Sequence, residues 1–279
     1  MERPVASRTA LATSLIRAAH TRLDPHPLIN DAWGDRLVPE SVRSMMIDEE
    51  LLRSRSYPNV ITRSRYTEDA LQAAVAGGIR QYVLIGAGFD SFVLRRPGFS
   101  ADLHIYEVDF PATQALKVER IKELGITLPE SVHFIAADLS QESVAAALAR
   151  SGFQRQLTFF SWLGVSMYLT REANLATLKS VASCSPAGSE LVFTYFDERV
   201  FQVESQSFRE LKERVAAVGE PFLSGFSPTA LSADLAGCGL ELLEDLDGID
   251  VVARYDRSGD KSFAQSPFSH IALARVTRP

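Results

Sequence analysis

Between Gln81 and Asp197 short apolar runs alternate with longer segments of helical period. QYVLIG (Gln81–Gly86) stops on glycine, and LHIYEVD (Leu103–Asp109) and SVHFIAAD (Ser131–Asp138) stop on aspartate. QLTFFSWLG (Gln156–Gly164) and SELVFTYFD (Ser189–Asp197) follow as fourth and fifth runs. Consecutive apolar positions mark strands buried on both faces, as in the centre of a parallel sheet. The segments between them read as helices: ATQALKVERIKEL opened by Pro111, then QESVAAALAR, then REANLATLKSVASC. Strands alternating with helices of this length predict βαβ units and an α/β fold, a doubly wound, mostly parallel sheet of Rossmann-like type. Upstream, Thr67 followed by Glu68 and Asp69 predicts an N-cap and acidic first turn for a helix running through LQAAVAGG.

Either side of this block the grammar differs. Residues 1–66 are helical and irregular, punctuated by Pro25, Pro27, Pro39 and Pro58, and are expected to cap the same domain. Residues 67–279 are expected to form its core. After Asp197 the alternation breaks: ESQSFRELKERVAAVG (Glu204–Gly219) is an amphipathic helix, PTALSADLAGCG another, and ELLEDLD and HIALARV are closing strands. Residues 198–227 are the expected substrate cover, a C-terminal insertion.

Composition narrows the function. A chain of 279 residues with 46% hydrophobic and 23% charged residues has ample material for a core and is not a disordered chain. Its net charge of −6 argues against a sequence-independent nucleic-acid binder, which needs a basic face. No apolar run approaches the ~20 residues of a bilayer span. The N-terminal stretch MERPVASRTALATSLIRAAH lacks the apolar centre of a signal peptide. Cys184 and Cys238 stand apart, without a CxxC or a histidine pair, so no metal site is expected and the reading is a cytoplasmic protein.

The candidate chemistry gathers at strand ends. Gly86-Ala87-Gly88-Phe89-Asp90-Ser91 follows the first strand, where a doubly wound sheet binds ligands and glycine lets the backbone approach them. Glu107 and Asp109 share a face at the end of the second strand, and Asp109 lies about twenty residues past the glycines, the spacing of a ribose-binding carboxylate. Asp138-Leu139 ends the third strand, where a carboxylate can accept from an adenine amino group; Asp138 reads equally well as a helix N-cap. Glycine, carboxylate and carboxylate on three successive strand ends suit an adenosine-containing cofactor. A nicotinamide dinucleotide would want a third glycine where Ser91 stands, and Asp90 would repel its phosphates. S-adenosylmethionine carries no phosphate and two cationic centres, so a carboxylate beside the glycines favours it.

RSRYTEDAL (Arg63–Leu71), QYVLIGAGFDSFVLRRP (Gln81–Pro97), YEVDFPATQALK (Tyr106–Lys117), AADL (Ala136–Leu139) and SWLGVSMYLT (Ser161–Thr170) together resemble the leucine carboxyl methyltransferase family, in its bacterial small-molecule branch. The resemblance implies a class I S-adenosylmethionine-dependent methyltransferase with a helical cap and a C-terminal insertion. It places Gly86 against the methionine part of the cofactor, Asp109 on the ribose, Asp138 and Leu139 at the adenine, and Arg65 on the cofactor carboxylate. Leu163 stands where the eukaryotic branch has a glutamate, which argues against a protein-phosphatase substrate.

The expected activity is O-methylation of a small acceptor, a carboxylate or phenol of polyketide-like type, by in-line transfer in which alignment supplies most of the catalysis. No general base is assigned: His20, His26, His104, His133 and His270 are dispersed, and only His20 lies in the expected overhang. Further acceptor contacts are expected from Trp162, Tyr168 and Tyr195. The alternatives are a cofactor-binding protein that no longer methylates and, less well supported, an NAD-dependent dehydrogenase.

Overall fold

The computed structural model describes residues 7–203, 206–217, 219–256, 259, 263–264 and 266–277. Its strands are β1 (Gln81–Ile85), β2 (His104–Asp109), β3 (Val132–Ala136), β4 (Thr158–Trp162), β5 (Glu190–Phe196), β6 (Leu240–Asp247) and β7 (Ser269–Val276). They form one sheet in the order β3-β2-β1-β4-β5-β7-β6. The first five pair in parallel, and β7 runs antiparallel to both β5 and β6. This is the expected α/β, mostly parallel sheet, closed by an antiparallel strand inserted at one side.

Every residue of β1 and β4 is buried, because helices cover both faces. The two-residue period of a strand sends Val83 and Ile85 to one core, with Trp162 and Phe193, under helices Val144–Ala149, Arg171–Cys184 and Leu231–Ala236. It sends Tyr82 and Leu84 to the other, with Ile105 and Phe159, under helices Tyr57–Ala76 and Gly248–Tyr255. A third cluster, built on Leu15, Ile16, Leu37, Ile61 and Phe89, joins the N-terminal segment to the loop after β1.

The helix expected to start at Thr67 begins ten residues earlier, at Tyr57, with Pro58 in its first turn. Proline is pre-set for that position and lacks only an N–H that would have gone unpaired. The apolar stripe Val60, Ile61, Tyr66, Leu71 runs unbroken across Thr67, which is buried in mid-helix rather than capping it. The helix Gly248–Tyr255 was not expected; the Asp247 carboxylate caps it, accepting from the N–H groups of Ile249 (2.8 Å) and Asp250 (2.9 Å). The expected helix Glu204–Gly219 is present as Gln206–Ala217, while Glu204, Ser205 and Val218 lie outside the described residues, as do positions 1–6.

The N-terminal helix Arg8–Leu23 is tied to the glycine loop by two donors on one carbonyl. Ser14 Oγ and Arg17 Nη2 both donate to the Phe89 carbonyl, at 3.1 and 2.7 Å. Arg17 Nε also meets Asp31 Oδ2 at 2.8 Å in the interior. Burial alone would raise the Asp31 pKa, but the charges of Arg17 and Arg95 outweigh it and hold the carboxyl below its ordinary range. Among the described residues no helix is long and apolar enough to cross a membrane.

Candidate active site

Gly86 (φ 67°) and Gly88 (φ 52°) both adopt the left-handed region. A Cβ on Gly86 would stand 2.5 Å from Val165 Cγ2, and one on Gly88 3.0 Å from Ala10 Cβ. Conformation and space both demand glycine at Gly86. The Gly86 N–H continues the β1–β2 ladder, donating to Val108 at 2.8 Å. The loop is then drawn to the end of β2: the N–H groups of Gly88 and Phe110 both donate to the Asp109 carboxylate, the latter at 2.6 Å. Burial nonetheless raises the Asp109 pKa. Ala87 sits nearly buried between the two glycines. Asp90 turns its Oδ1 to the Phe92 N–H at 2.7 Å. Beyond β3, Asp138 Oδ1 accepts from the Ser140 N–H (3.0 Å) and hydroxyl (2.6 Å), and Leu139 packs half-buried on the sheet core. Three strand ends thus form one continuous edge carrying Gly86, Gly88, Asp109 and Asp138.

Three expected contacts are not at that edge. Glu107 is fully buried, and its Oε2 accepts from Lys117 Nζ at 2.6 Å. Burial pushes the Glu107 carboxyl up to about 7 against the pull of Lys117. Glu107 therefore anchors helix Pro111–Glu123 to β2. Ser91 is also fully buried, its Oγ accepting from Arg95 Nε at 2.8 Å.

Arg65 pairs with Asp69 one turn further along its own helix, and Asp69 in turn accepts from the Tyr255 hydroxyl at 2.9 Å. Arg63 is the arginine that the structure brings to the site. An α-helix turns about 100° per residue, so side chains two apart project in nearly opposite directions. The Arg63 guanidinium lies against Gly164, whose Cβ position would be 2.7 Å from Nη1, and Nη1 donates to Asn59 Oδ1 at 3.1 Å. Burial pushes its pKa down to about 10. No carboxylate pairs with it among the described residues.

A cavity of about 360 Å³ opens beside Arg63 and Gly164. One wall comes from the cap, with Thr9, Thr13, Arg55 and Asn59; the opposite wall is apolar, with Phe208, Leu211, Val215 and Phe222. Phe222 meets Phe196 edge-on at 5.1 Å and stacks with Phe208 at 6.1 Å, so the apolar wall is a packed aromatic cluster. The charged residues among the described lining are Arg55 and Arg63, without Asp, Glu, His or Lys. A second, shallower groove of about 450 Å³ follows the outer edge of β3 beside Arg150 and holds none of these residues.

Of the four expected acceptor contacts, Tyr168 and Tyr195 line the cavity. Burial raises the Tyr168 pKa, and the Tyr195 hydroxyl donates to Asp245 Oδ2 at 2.7 Å. His20 does not reach it. Both ring nitrogens of His20 are engaged inside the cap, Nδ1 with the Tyr57 hydroxyl at 2.8 Å and Nε2 with the Leu28 N–H at 2.9 Å. Trp162 is wholly buried in the sheet core, 6.2 Å from the Phe193 ring, and belongs to the packing beneath the site.

The family model of leucine carboxyl methyltransferase matches residues 10–182, which contain the glycine edge and Arg63. The chain belongs to the leucine carboxyl methyltransferase family. It is an S-adenosylmethionine-dependent methyltransferase, and the dehydrogenase reading falls. Over 278 aligned residues the methyltransferase is 32% identical to a Bacillus subtilis protein named "Putative S-adenosyl-L-methionine-dependent methyltransferase YktD", covering 90% of this chain and 91% of that one. A protein of Parafrankia with the same kind of name is 34% identical over 198 residues, 66% of this chain and 61% of its own. Solved structures share the fold: a DUF574 family protein from Streptomyces avermitilis (TM-score 0.59, 18% identity, 98% of both chains) and a "putative methyltransferase" from Thermobifida fusca (TM-score 0.62, 13% identity, 95% and 94%).

Proposed function

We propose that this methyltransferase methylates an oxygen of a small-molecule acceptor held in the cavity between the cap, the sheet ends and the cover. The edge fits the cofactor. Arg63 is an enclosed guanidinium without a carboxylate ion pair among the described residues, suited to grip the amino-acid carboxylate of S-adenosylmethionine in a bidentate manner. Gly86, Ala87 and Gly88 give it close backbone, with Asp90 supplying negative charge nearby. Asp109 takes the ribose, and Asp138 with Leu139 the adenine. When bound, the cofactor supplies an electrophilic methyl group on a sulfonium.

The chain's own contribution is alignment. Residues 1–66 act as a cap and residues 198–227 as a cover on a single domain, and together they exclude water from the acceptor. One observation carries the choice of acceptor: the described lining holds two arginines and no carboxylate, histidine or lysine. With no base to take a proton, the reacting oxygen arrives already ionised, as a carboxylate does at neutral pH. The aromatic wall of Phe196, Phe208 and Phe222 supports a second reading, a phenol of polyketide-like type whose ionisation the arginines favour. Two unpaired cysteines suit a reducing cytoplasm.

The test uses purified enzyme, methyl-labelled S-adenosylmethionine and matched apolar carboxylic acids and phenols. Methyl esters are expected, and mild alkali releases their label. Products that survive alkali would assign the phenol, and an absence of transfer across the panel contradicts the proposal. Asp109→Ala should weaken S-adenosylhomocysteine binding at least about tenfold, the loss of a charge-assisted ribose contact.

A further inference from the structure

We propose that Arg55 recognises an anionic group at the outer end of the acceptor, making the preferred acceptors elongated apolar acids charged at the end remote from the reacting oxygen. This rests on the reading of the cavity as the acceptor site. Arg55 lies in the turn just before helix Tyr57–Ala76, and Arg55, Ser56, Asn59 and Arg63 all line the cavity. Spacings of three and four place Ser56, Asn59 and Arg63 on one face, so this single segment forms a polar wall of the cavity. Eight residues separate the two arginines, roughly 10–12 Å at the helical rise of 1.5 Å per residue.

Of the cap arginines that do not line the cavity, several have acidic partners, Arg43 with Asp35 among them. Arg17 meets Asp31, Arg22 meets Asp35 and Asp48, and Arg65 meets Asp69. Arg55 has neither an ion pair nor a hydrogen bond among the described residues, and it stands exposed at the mouth of the cavity. Val203, Phe208 and Leu211 line the same cavity. A cation without a counter-ion among the described residues, in a cavity otherwise rich in apolar side chains, matches a ligand with an apolar body and an anionic end. The ligand would lie lengthwise with its reacting oxygen toward Arg63. Partial exposure screens the contact, so its effect is moderate, about tenfold in affinity.

Calorimetry on enzyme saturated with S-adenosylhomocysteine tests this with rigid probes. They are a biphenyl dicarboxylate with its acids at opposite ends, the matching monocarboxylate, and the compound in which one acid is a neutral amide. The wild type is expected to bind the dicarboxylate about tenfold more tightly than either companion. Arg55→Met should abolish that preference while S-adenosylhomocysteine still binds. Arg53→Met, which removes a neighbouring charge that does not line the cavity, should retain it. Equal binding of all three probes by the wild type, or an undiminished preference in Arg55→Met, overturns the role of Arg55 and leaves the cavity reading intact. Binding of none of the probes defeats both.

Discussion

The inner edge of the site and its outer wall are held by different kinds of interaction. At the ends of β1, β2 and β3 the backbone does the holding: two glycines at positive φ, and a loop whose N–H donates to the carboxylate of the next strand. Beneath lies the sealed Glu107–Lys117 pair, which fixes helix Pro111–Glu123 against β2. Across the cavity, Phe196, Phe208 and Phe222 pack ring against ring, and a short helix presents Leu211 and Val215. Backbone geometry tolerates little substitution, whereas an aromatic wall can be reshaped one side chain at a time. A cofactor shared by a family suits the first region, and an acceptor particular to one enzyme suits the second. The family match ends at residue 182, before the aromatic wall begins at Phe196.

Perturbing each region separately should sharpen that contrast. The largest effect is expected from Lys117→Met, which leaves Glu107 buried without its cation. Denaturant unfolding should show a loss of about 3–5 kcal/mol, and cofactor affinity should fall as the end of β2 loosens. A loss under about 1 kcal/mol would show that the pair does not brace the edge.

Phe222→Ala should cost about 2–3 kcal/mol, less than a fully enclosed phenylalanine because the cluster is peripheral. Its signature is a split: acceptor KM rises while S-adenosylhomocysteine affinity stays within about twofold. Equal losses in both would erase the distinction between edge and wall.

The smallest effect concerns pH. Burial raises the Glu107 carboxyl from its ordinary 4.5 to about 7, so between those values the folded state holds more protons than the unfolded chain. Stability then falls as pH rises through that window and levels off above it. The double variant Glu107→Gln/Lys117→Met should flatten that slope; an unchanged slope would assign it elsewhere.

The strands were legible because buried parallel strands are apolar without interruption, and each stops on the glycine or aspartate that its edge position needs. The strand-end positions of Asp109 and Asp138 follow from that alone. The burial of Glu107 against Lys117 is not legible in the same way, because strand periodicity gives the face of a side chain but not its neighbour, and Lys117 lies ten residues away on another element. Arg65 rests on the resemblance to a family arginine, and the helix expected from the sequence begins only at Thr67. Extended back to Tyr57, it sets Arg63 four residues beyond Asn59, on the face that lines the cavity. His20 and Trp162 carry suitable chemistry, but packing inside the cap and the sheet has already claimed them. The cavity itself assembles from segments more than 150 residues apart, from Thr9 to Phe222, a juxtaposition that no local pattern records.

The strand-end edge and Arg63 together are the proposed cofactor site. Calorimetric titration of S-adenosylhomocysteine into Arg63→Met and Arg65→Met tests it most directly. Arg63→Met is expected to lose at least about tenfold in affinity, because the enclosed cation no longer meets the ligand carboxylate, and Arg65→Met to change within about twofold. A large loss confined to Arg65→Met would contradict it.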